Sequence, residues 1–337
     1  MKHNAFIGLL YVLALVLLSS CHHRCHCCMR LEGRMELILR MPAGFPSYKA
    51  NVKSGKDVTG YGDQKFTWSV AGKSLRTVAE IYESGSGKSI AREVFTPVEA
   101  ADGGYVVSFD LPEGIYDIYL WTDFAEQSDP LADCLYDTSD LRSVSLGVSP
   151  YMNVASGKEA AFAVVSGLRH SLKGTSQDVC LQWPLARYRL ITTDVQRYND
   201  RRKTDPRNLP AVGELRFEVC YEYFFPVSFN VAAASPNDST SGIRFTSSAG
   251  DVEDYSPEMG QVLADDAVFA SDADNFLSLT LIVRGPDGNE ISRQSGIRVD
   301  YRSGFLTTVS GNFLTAGDNG GGIEINTDWE EDIVIRF

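Results

Sequence analysis

The chain is poor in positive charge: 31 lysines and arginines stand against 44 aspartates and glutamates, a formal net charge of −13 over 337 residues. Its one run of three basic side chains is Arg201-Arg202-Lys203. A nucleic-acid partner needs a concentrated basic surface, so none is expected. Histidine is almost absent beyond the start, where His3, His22, His23 and His26 lie; only His170 follows. A Ser-His-Asp or Cys-His arrangement in the body of the chain would depend on that residue. It sits in Gly167-Leu-Arg-His-Ser-Leu172 with no nucleophile-elbow pattern around it. We expect a surface histidine, no enzyme and no cofactor; acids are plentiful, but nothing singles out a pair for glycoside hydrolysis. Cysteine is sparse too. Beyond the first 28 residues only Cys134, Cys180 and Cys220 remain, an odd set that makes no disulfide framework. They are expected as small buried apolar residues, with a Cys134–Cys180 or Cys180–Cys220 bridge as the open alternative. No window longer than about a dozen residues keeps a clean helical period; Val195–Arg207 is the one candidate helix.

What the chain does have begins at its start. Lys2 and His3 precede an apolar-to-small run from Ala5 to Leu18. The run falls short of the roughly 20 apolar residues of a permanent span and fits the apolar region of a secretory signal. It ends in Leu18-Ser19-Ser20-Cys21, which resembles a bacterial lipobox. Cleavage before Cys21 would leave its thiol to carry diacylglycerol and its amine a further acyl chain, a lasting anchor at about 0.8 kcal/mol per buried CH₂. The alternative is an ordinary signal in which Cys21 is incidental. No later run approaches spanning length, so the expected membrane contact is Cys21. Cys21, His22, His23, Cys25, His26, Cys27 and Cys28 are ligand types that suit zinc or copper(I). Lipidation would turn the Cys21 sulfur into a thioether, and four ligands within eight residues cannot easily wrap a tetrahedral ion. The expectation is a tether over residues 21–33 and no metal.

Without residues 1–20 about 315 residues remain, enough for two domains with their own cores. Met35, Leu37, Leu39 and Met41 alternate onto one face of a strand. Further strands are read over Lys65–Val70, Leu75–Tyr82, Ser89–Val94, Ala160–Val165 and Asp178–Trp183, with Ser84-Gly-Ser-Gly87 as a turn. The plainest hairpin is Tyr105–Leu111 and Ile115–Trp121, joined by Pro112-Glu-Gly114. Thr122–Asn153 reads as a long acidic connection. The pattern restarts at Pro184, so domains are expected over 34–183 and 184–337. In the second, Leu215–Phe229 is apolar and aromatic, with Pro226 suggesting an edge or bend. Ala233–Asp254 reads as a loop, and Val268–Ala270, Leu277–Arg284, Ile291–Arg298, Phe305–Phe313 and Asp332–Phe337 as strands. Many short strands with regular turns point to all-β sandwiches.

Asp110-Leu-Pro-Glu-Gly-Ile-Tyr-Asp-Ile-Tyr-Leu-Trp121 resembles a hairpin of the fimbrillin-type (FimA/Mfa-like) lipoproteins of Bacteroides-like bacteria. Trp183–Asp194, Asn289–Thr315, the Gly320-Gly-Gly322 turn and Asp328–Phe337 are similar to further blocks of that family, in the same order. The resemblance implies two tandem transthyretin-like Greek-key β-sandwich domains. It implies a fimbrial stalk, tip or anchor subunit, lipid-anchored in the outer membrane and placed at the cell surface or in the fimbrium. Polymerising members exchange strands after a protease removes the first one. Here the loop Pro42–Gln64 has no arginine, which leaves Arg30 or Arg34 as cleavage positions. An acidic export signal after the lipidated cysteine is also missing, since the first carboxylate is Glu32. Asp238-Ser239-Thr240 resembles an O-glycosylation acceptor of these bacteria, at Ser239, in an expected exposed loop.

Three other local features are weaker. Gly85-Ser-Gly-Lys-Ser89 imitates the end of a phosphate loop, but Tyr82 stands where the first glycine belongs, so it is read as a turn. Asp123, Asp129, Asp133, Asp137 and Asp140 lack EF-hand spacing and read as a solvated loop. Tyr221, Tyr223, Phe224 and Phe225 are expected to be buried on both faces of a strand, the alternative being a partner groove. The combined expectation is a lipid-anchored anchor, accessory or tip subunit acting in fimbria assembly or adhesion through β-strand contacts. Its partners would be other fimbrial subunits or a surface receptor or glycan. The ending at Phe337, directly after an expected strand, leans away from a stalk polymer. The alternative is a surface glycan-binding lipoprotein of a polysaccharide-uptake system, with exposed Trp or Tyr on one face.

Overall fold

The computed structural model describes residues 31–44, 47–48, 68–101, 103–147, 151, 153, 157–248 and 260–316. Cys21 and its His/Cys neighbours, the Gly320–Gly322 turn and the Asp332–Phe337 strand lie outside the described residues. Twenty strands, one α-helix and one 3₁₀ turn (Val212–Glu214) make up the regular structure described. The helix, α1, spans Val195–Thr204, at the place named for the one helical candidate. Among the described residues no helix is long and apolar enough to cross a membrane. The protein is an all-β sandwich fold.

Residues 32–180 build two facing sheets. One orders β11 (Thr175–Cys180), β1 (Glu32–Arg40), β6 (Tyr105–Pro112) and β5 (Val98–Glu99). The other orders β10 (Ala161–His170), β7 (Gly114–Glu126), β3 (Lys73–Glu83) and β4 (Lys88–Phe95). The alternation read in β1 is realised: Met35, Leu37 and Leu39 are wholly buried. They pack with Val107, Phe109 and Leu111 of β6 against Ile81, Ile118, Leu120 and Ala163 of the facing sheet. β3 and β4 form a hairpin over Ser84–Gly87, where Gly85 and Gly87 take positive φ values of 80° and 65°. The phosphate-loop look-alike is thus a turn with no helix at hand.

The expected Tyr105–Trp121 hairpin is not one. β6 pairs with β1 and β5, whereas β7 pairs with β3 and β10, so Pro112–Gly114 arches from one sheet to the other. The Tyr116 hydroxyl donates to the Pro112 carbonyl at 2.8 Å and fastens the arch. A Cβ on Gly114 would stand 3.0 Å from the Tyr116 ring, so a larger residue at this corner would have to displace that ring. Strand propensity and a short link are common to a hairpin and an arch; which strands pair is a non-local choice.

The second half repeats the plan, with the two-residue strand β2 supplied from the first half. Sheet β17 (Gln261–Phe269), β12 (Leu185–Thr192), β20 (Leu306–Gly311) and β2 (Ser47–Tyr48) faces sheet β16 (Arg244–Ser248), β13 (Arg216–Tyr221), β18 (Asn275–Arg284) and β19 (Glu290–Tyr301). Leu190, Leu263 and Phe217 meet Leu279, Leu281 and Ile297 in its core. A fifth sheet, β15 (Ser235–Thr240), β14 (Phe225–Asn230), β9 (Val144–Leu146) and β8 (Tyr136–Asp137), joins strands of both halves. It covers the outer face of β7: Trp121 lies edge-on to Tyr136 at 5.2 Å and tilts against Phe229 at 6.2 Å. From Leu120 to Ala125 β7 is therefore buried without a break, as expected for a strand covered on both faces.

Three further expectations are corrected. Thr122–Asn153 is not one loop, since β7 runs to Glu126 and β8 and β9 follow. Ala233–Asp254 holds β15 and β16. Arg34 lies inside β1, opposite Asp110, so cleavage after it would cut the central strand rather than release it.

Candidate functional site

β10 and β11 leave one end of the first sandwich open. They follow each other through the turn Ser171–Gly174, where the Gly174 amide donates to Ser171 at 3.0 Å. Yet each strand joins a different sheet, so the hairpin is splayed across the sandwich. It closes again at the far end. There the Phe162 amide donates to the Gln182 carbonyl at 2.9 Å and the Gln182 amide donates back at 2.8 Å. Between turn and bridge lies a groove of about 730 Å³. Its walls are Ala163–Arg169 and Gln177–Cys180, and Ala232–Ala234 of the β14–β15 turn stop one side. Ala234 has φ of 50°, the one non-glycine in the left-handed region among the described residues.

The walls are strand edges. The Phe162 amide points away from β7, and by the two-residue alternation of a strand Val164 points its amide the same way. The Val164 side chain is 40% exposed. Gly167, at φ 66°, lies between the register positions Val165 and Leu168, where the β10–β7 ladder shifts. Its amide donates to Asp117 at 2.7 Å. Such a bulge limits edge-to-edge aggregation while leaving Ala163–Val165 regular. On the opposite wall Asp178 is paired with Arg40 at 2.8 Å. An extended segment entering here meets backbone donors and acceptors on two sides and small apolar side chains below, the requirements of β-strand addition.

His170 shapes the same end and is not the surface residue expected. It is 3% exposed. Nε2 lies 3.0 Å from the carbonyls of both Gly33 and Leu111, and Nδ1 lies 3.0 Å from the Thr175 hydroxyl. One imidazole thus ties β1, β6 and β11 to the end of β10. A Cβ on Gly33 would stand 2.6 Å from the Ser171 carbonyl oxygen and 3.1 Å from Nε2.

Two buried charged clusters were not foreseen. Arg76 of β3, 1% exposed, makes a two-pronged contact with Asp123 at 2.9 and 2.8 Å and a third with Asp133 at 2.6 Å. The Trp121 indole donates to Asp123 at 3.1 Å. Burial raises the Asp123 carboxyl against the pull of Arg76. The expected solvated acidic loop is thus partly internal, and Asp133 also accepts from the Thr138 amide and hydroxyl. The second cluster joins Lys158 to Asp266, with Tyr151, Tyr188 and Tyr221 around them. Burial lowers the Lys158 ammonium despite Asp266, and pushes all three phenols well up. The available signal for both clusters was a charge inside an apolar strand, as in Ser74-Leu-Arg-Thr-Val78 and Val262-Leu-Ala-Asp-Asp-Ala-Val268.

Ser239 is exposed, as its proposed modification requires, but it lies on strand β15, paired only with β14, rather than in a loop. Its amide donates to Asp238 at 2.7 Å. Cys134, Cys180 and Cys220 are free thiols, the first two exposed, so the expected burial and the alternative bridge both fail. Tyr221 and Phe225 are buried, whereas Tyr223 and Phe224 are 66% and 72% exposed at the arch between β13 and β14. Trp121 and Trp183 are buried, and Trp68 stacks on Trp183 at 5.0 Å, so these three make no exposed platform. Among the described residues no group of three or more His, Cys, Asp or Glu is placed to hold a metal ion.

Sheets packed face to face with an open pair of edges define an all-β sandwich protein. The chain belongs to a family of unknown function, DUF6562, whose model matches residues 31–336. A search of curated proteins gave no match. Among solved structures the chain is similar to the fimbrial anchor protein Mfa2 of Porphyromonas gingivalis, at 10% identity, 78% and 82% coverage of the two chains and a TM-score of 0.38. It is similar to the tip fimbrial protein Mfa3 of the same organism, at 10% identity, 80% and 81% coverage and a TM-score of 0.37. A Bacteroides thetaiotaomicron structure described as "putative polysaccharide binding proteins (DUF1812)" is similar at 14% identity, 80% coverage of each chain and a TM-score of 0.44.

Proposed function

We propose that the protein is a non-enzymatic, lipid-anchored subunit of fimbrillin type that acts in fimbria assembly or adhesion by β-strand contacts. The observation that carries this reading is the splayed β10–β11 pair, which presents two sheet edges with no neighbouring strand over a groove between its turn and its bridge. Main-chain hydrogen bonds hold a strand in such a place, and alternate side chains select it. The lipobox supports Cys21 as the fixed end, with 34–183 and 184–337 as two projecting sandwich domains on the outer membrane. An exposed Ser239 supports glycosylation there.

Two variants test the reading. Cys21→Ala is expected to move the protein from the membrane fraction to the soluble fraction; retention on the membrane would refute the anchor. Val164→Pro removes an outward-facing amide without touching the β7 ladder. It is expected to keep the protein folded and membrane-bound while the cross-linked assemblies recovered from whole cells disappear. Assemblies at wild-type level in that variant would place the contact elsewhere.

A further inference from the structure

Lys158 and Asp266 lie 108 residues apart in sequence and meet in a buried, aromatic-walled site. The Lys158 side chain is 1% exposed and the Asp266 side chain not at all. Lys158 precedes β10, and Asp266 stands on β17, so the contact joins the two halves of the chain. Nζ touches Asp266 Oδ1 and lies 2.7 Å from the Tyr151 hydroxyl. Oδ1 also accepts the Ala267 amide at 2.8 Å. Oδ2 accepts two phenols, Tyr151 at 2.5 Å and Tyr221 at 2.7 Å, and Tyr188 backs Tyr221 at 2.9 Å. Phe225 packs 5.2 Å from the Tyr151 ring and 4.5 Å from that of Tyr221.

Two full charges held out of water are costly unless they neutralise each other. Burial favours the neutral amine over the ammonium at Lys158, and Oδ1 of Asp266, which Nζ touches, is the acceptor within reach of the proton it gives up. We infer that Lys158 and Asp266 condense to an intramolecular amide, a covalent bar between the strap before β10 and strand β17.

The amine nitrogen attacks Cγ of Asp266, and the developing negative charge collects on Oδ2. Tyr151 and Tyr221 already donate to that atom, so they serve as a preorganised oxyanion site. Nitrogen gives up a second proton to Oδ1, the C–Oδ1 bond breaks and one water leaves. Lys–NH₃⁺ and Asp–COO⁻ thus become an amide and one water, with charge balanced and no oxidant or co-reactant used. Holding the amine beside the carboxyl group in one folded geometry replaces a bimolecular encounter. The resulting bar closes the whole 158–266 loop, and a pull on either half would meet a covalent bond.

The test is peptide mass spectrometry of the full chain after denaturation in SDS and digestion with trypsin. The expected result is a branched peptide containing Lys158 and Asp266, lighter by one water than its two arms, with no cleavage after Lys158. Cleavage after Lys158 and two separate arms in the wild-type protein would overturn the inference, whatever the variants do. Lys158→Arg keeps the charge and is expected to abolish the branched peptide; a branch that survives would assign the link to another residue. Tyr221→Phe withdraws one donor from Oδ2 and is expected to lower the linked fraction soon after synthesis. A linked fraction unchanged at every time would remove Tyr221 from the reaction.

Discussion

Arg76 shows most directly what a single side chain does in this fold. Its guanidinium is wholly enclosed and satisfied by Asp123 and Asp133. Replacing it by leucine strands the Asp123 charge in the interior, so Arg76→Leu is expected to cost about 3–5 kcal/mol in urea unfolding. Replacing both partners by apolar residues of similar size should recover most of that loss. Glu222 behaves differently. Burial works to raise its carboxyl, but the Ser278 and Thr280 hydroxyls and the Gly296 amide outweigh it and hold it below the ordinary value of 4.5. A depressed folded value means the group stabilises the protein above its unfolded value, and that contribution fades as pH falls through the folded one. Acid titration of stability should therefore be flatter in Glu222→Gln than in the wild type over the interval below 4.5. A parallel acid profile in the two proteins would show that these hydrogen bonds contribute nothing.

Among elements, the decisive ones are those that change sheets. Pro112–Gly114, Glu222–Phe224 and the β10–β11 turn each carry the chain from one sheet to another, and each has its own fastening. At the first it is Tyr116 on Pro112, at the second Glu222 on Ser278 and Thr280, and at the third His170 on Gly33 and Leu111. Gly33→Ala drives a methyl into the Ser171 carbonyl, and overpacking of this kind costs about 1–3 kcal/mol. The midpoint of thermal unfolding should fall accordingly. His170→Ala leaves two carbonyls short of a donor and is expected to lose a similar amount, about 1–3 kcal/mol. The strands themselves were legible where one face is wet: in β1 the alternation of Met35, Leu37 and Leu39 needs no knowledge of the partner. β7 was legible as a strand, but the reason for its unbroken burial beyond Leu120 was not, because its second cover comes from β8, β9 and β14.

For the whole molecule, the larger core belongs to both halves. Val78, Trp121 and Phe162 from the first half lie in one cluster with Phe229, Phe269 and Leu279 from the second. Phe162 stands 4.9 Å from Phe229, and Trp121 stands 6.4 Å from Phe269. A fragment ending at residue 183 would expose that aromatic face, and a contiguous apolar surface of this kind invites association. The intact chain is therefore expected to unfold in one cooperative calorimetric transition. The fragment 34–183 should bind a hydrophobic dye that the full protein does not bind. Two resolved transitions in the intact chain would show the halves to be energetically separate.

Taken alone, the sequence determined the all-β class, most strand positions, the turn at Ser84–Gly87, and the helix at Val195–Thr204. These follow from side-chain period and turn chemistry, which act within a few residues of each other. Tertiary structure decided which strands share a sheet, that β10 and β11 part company, and that His170, Arg76, Lys158 and Asp266 are interior. Each of those depends on bringing together segments as far apart as Gly33 and His170 or Lys158 and Asp266. Pairing across such distances is settled by the shared core; a charge inside an apolar strand marks a buried group in the sequence but does not name its partner.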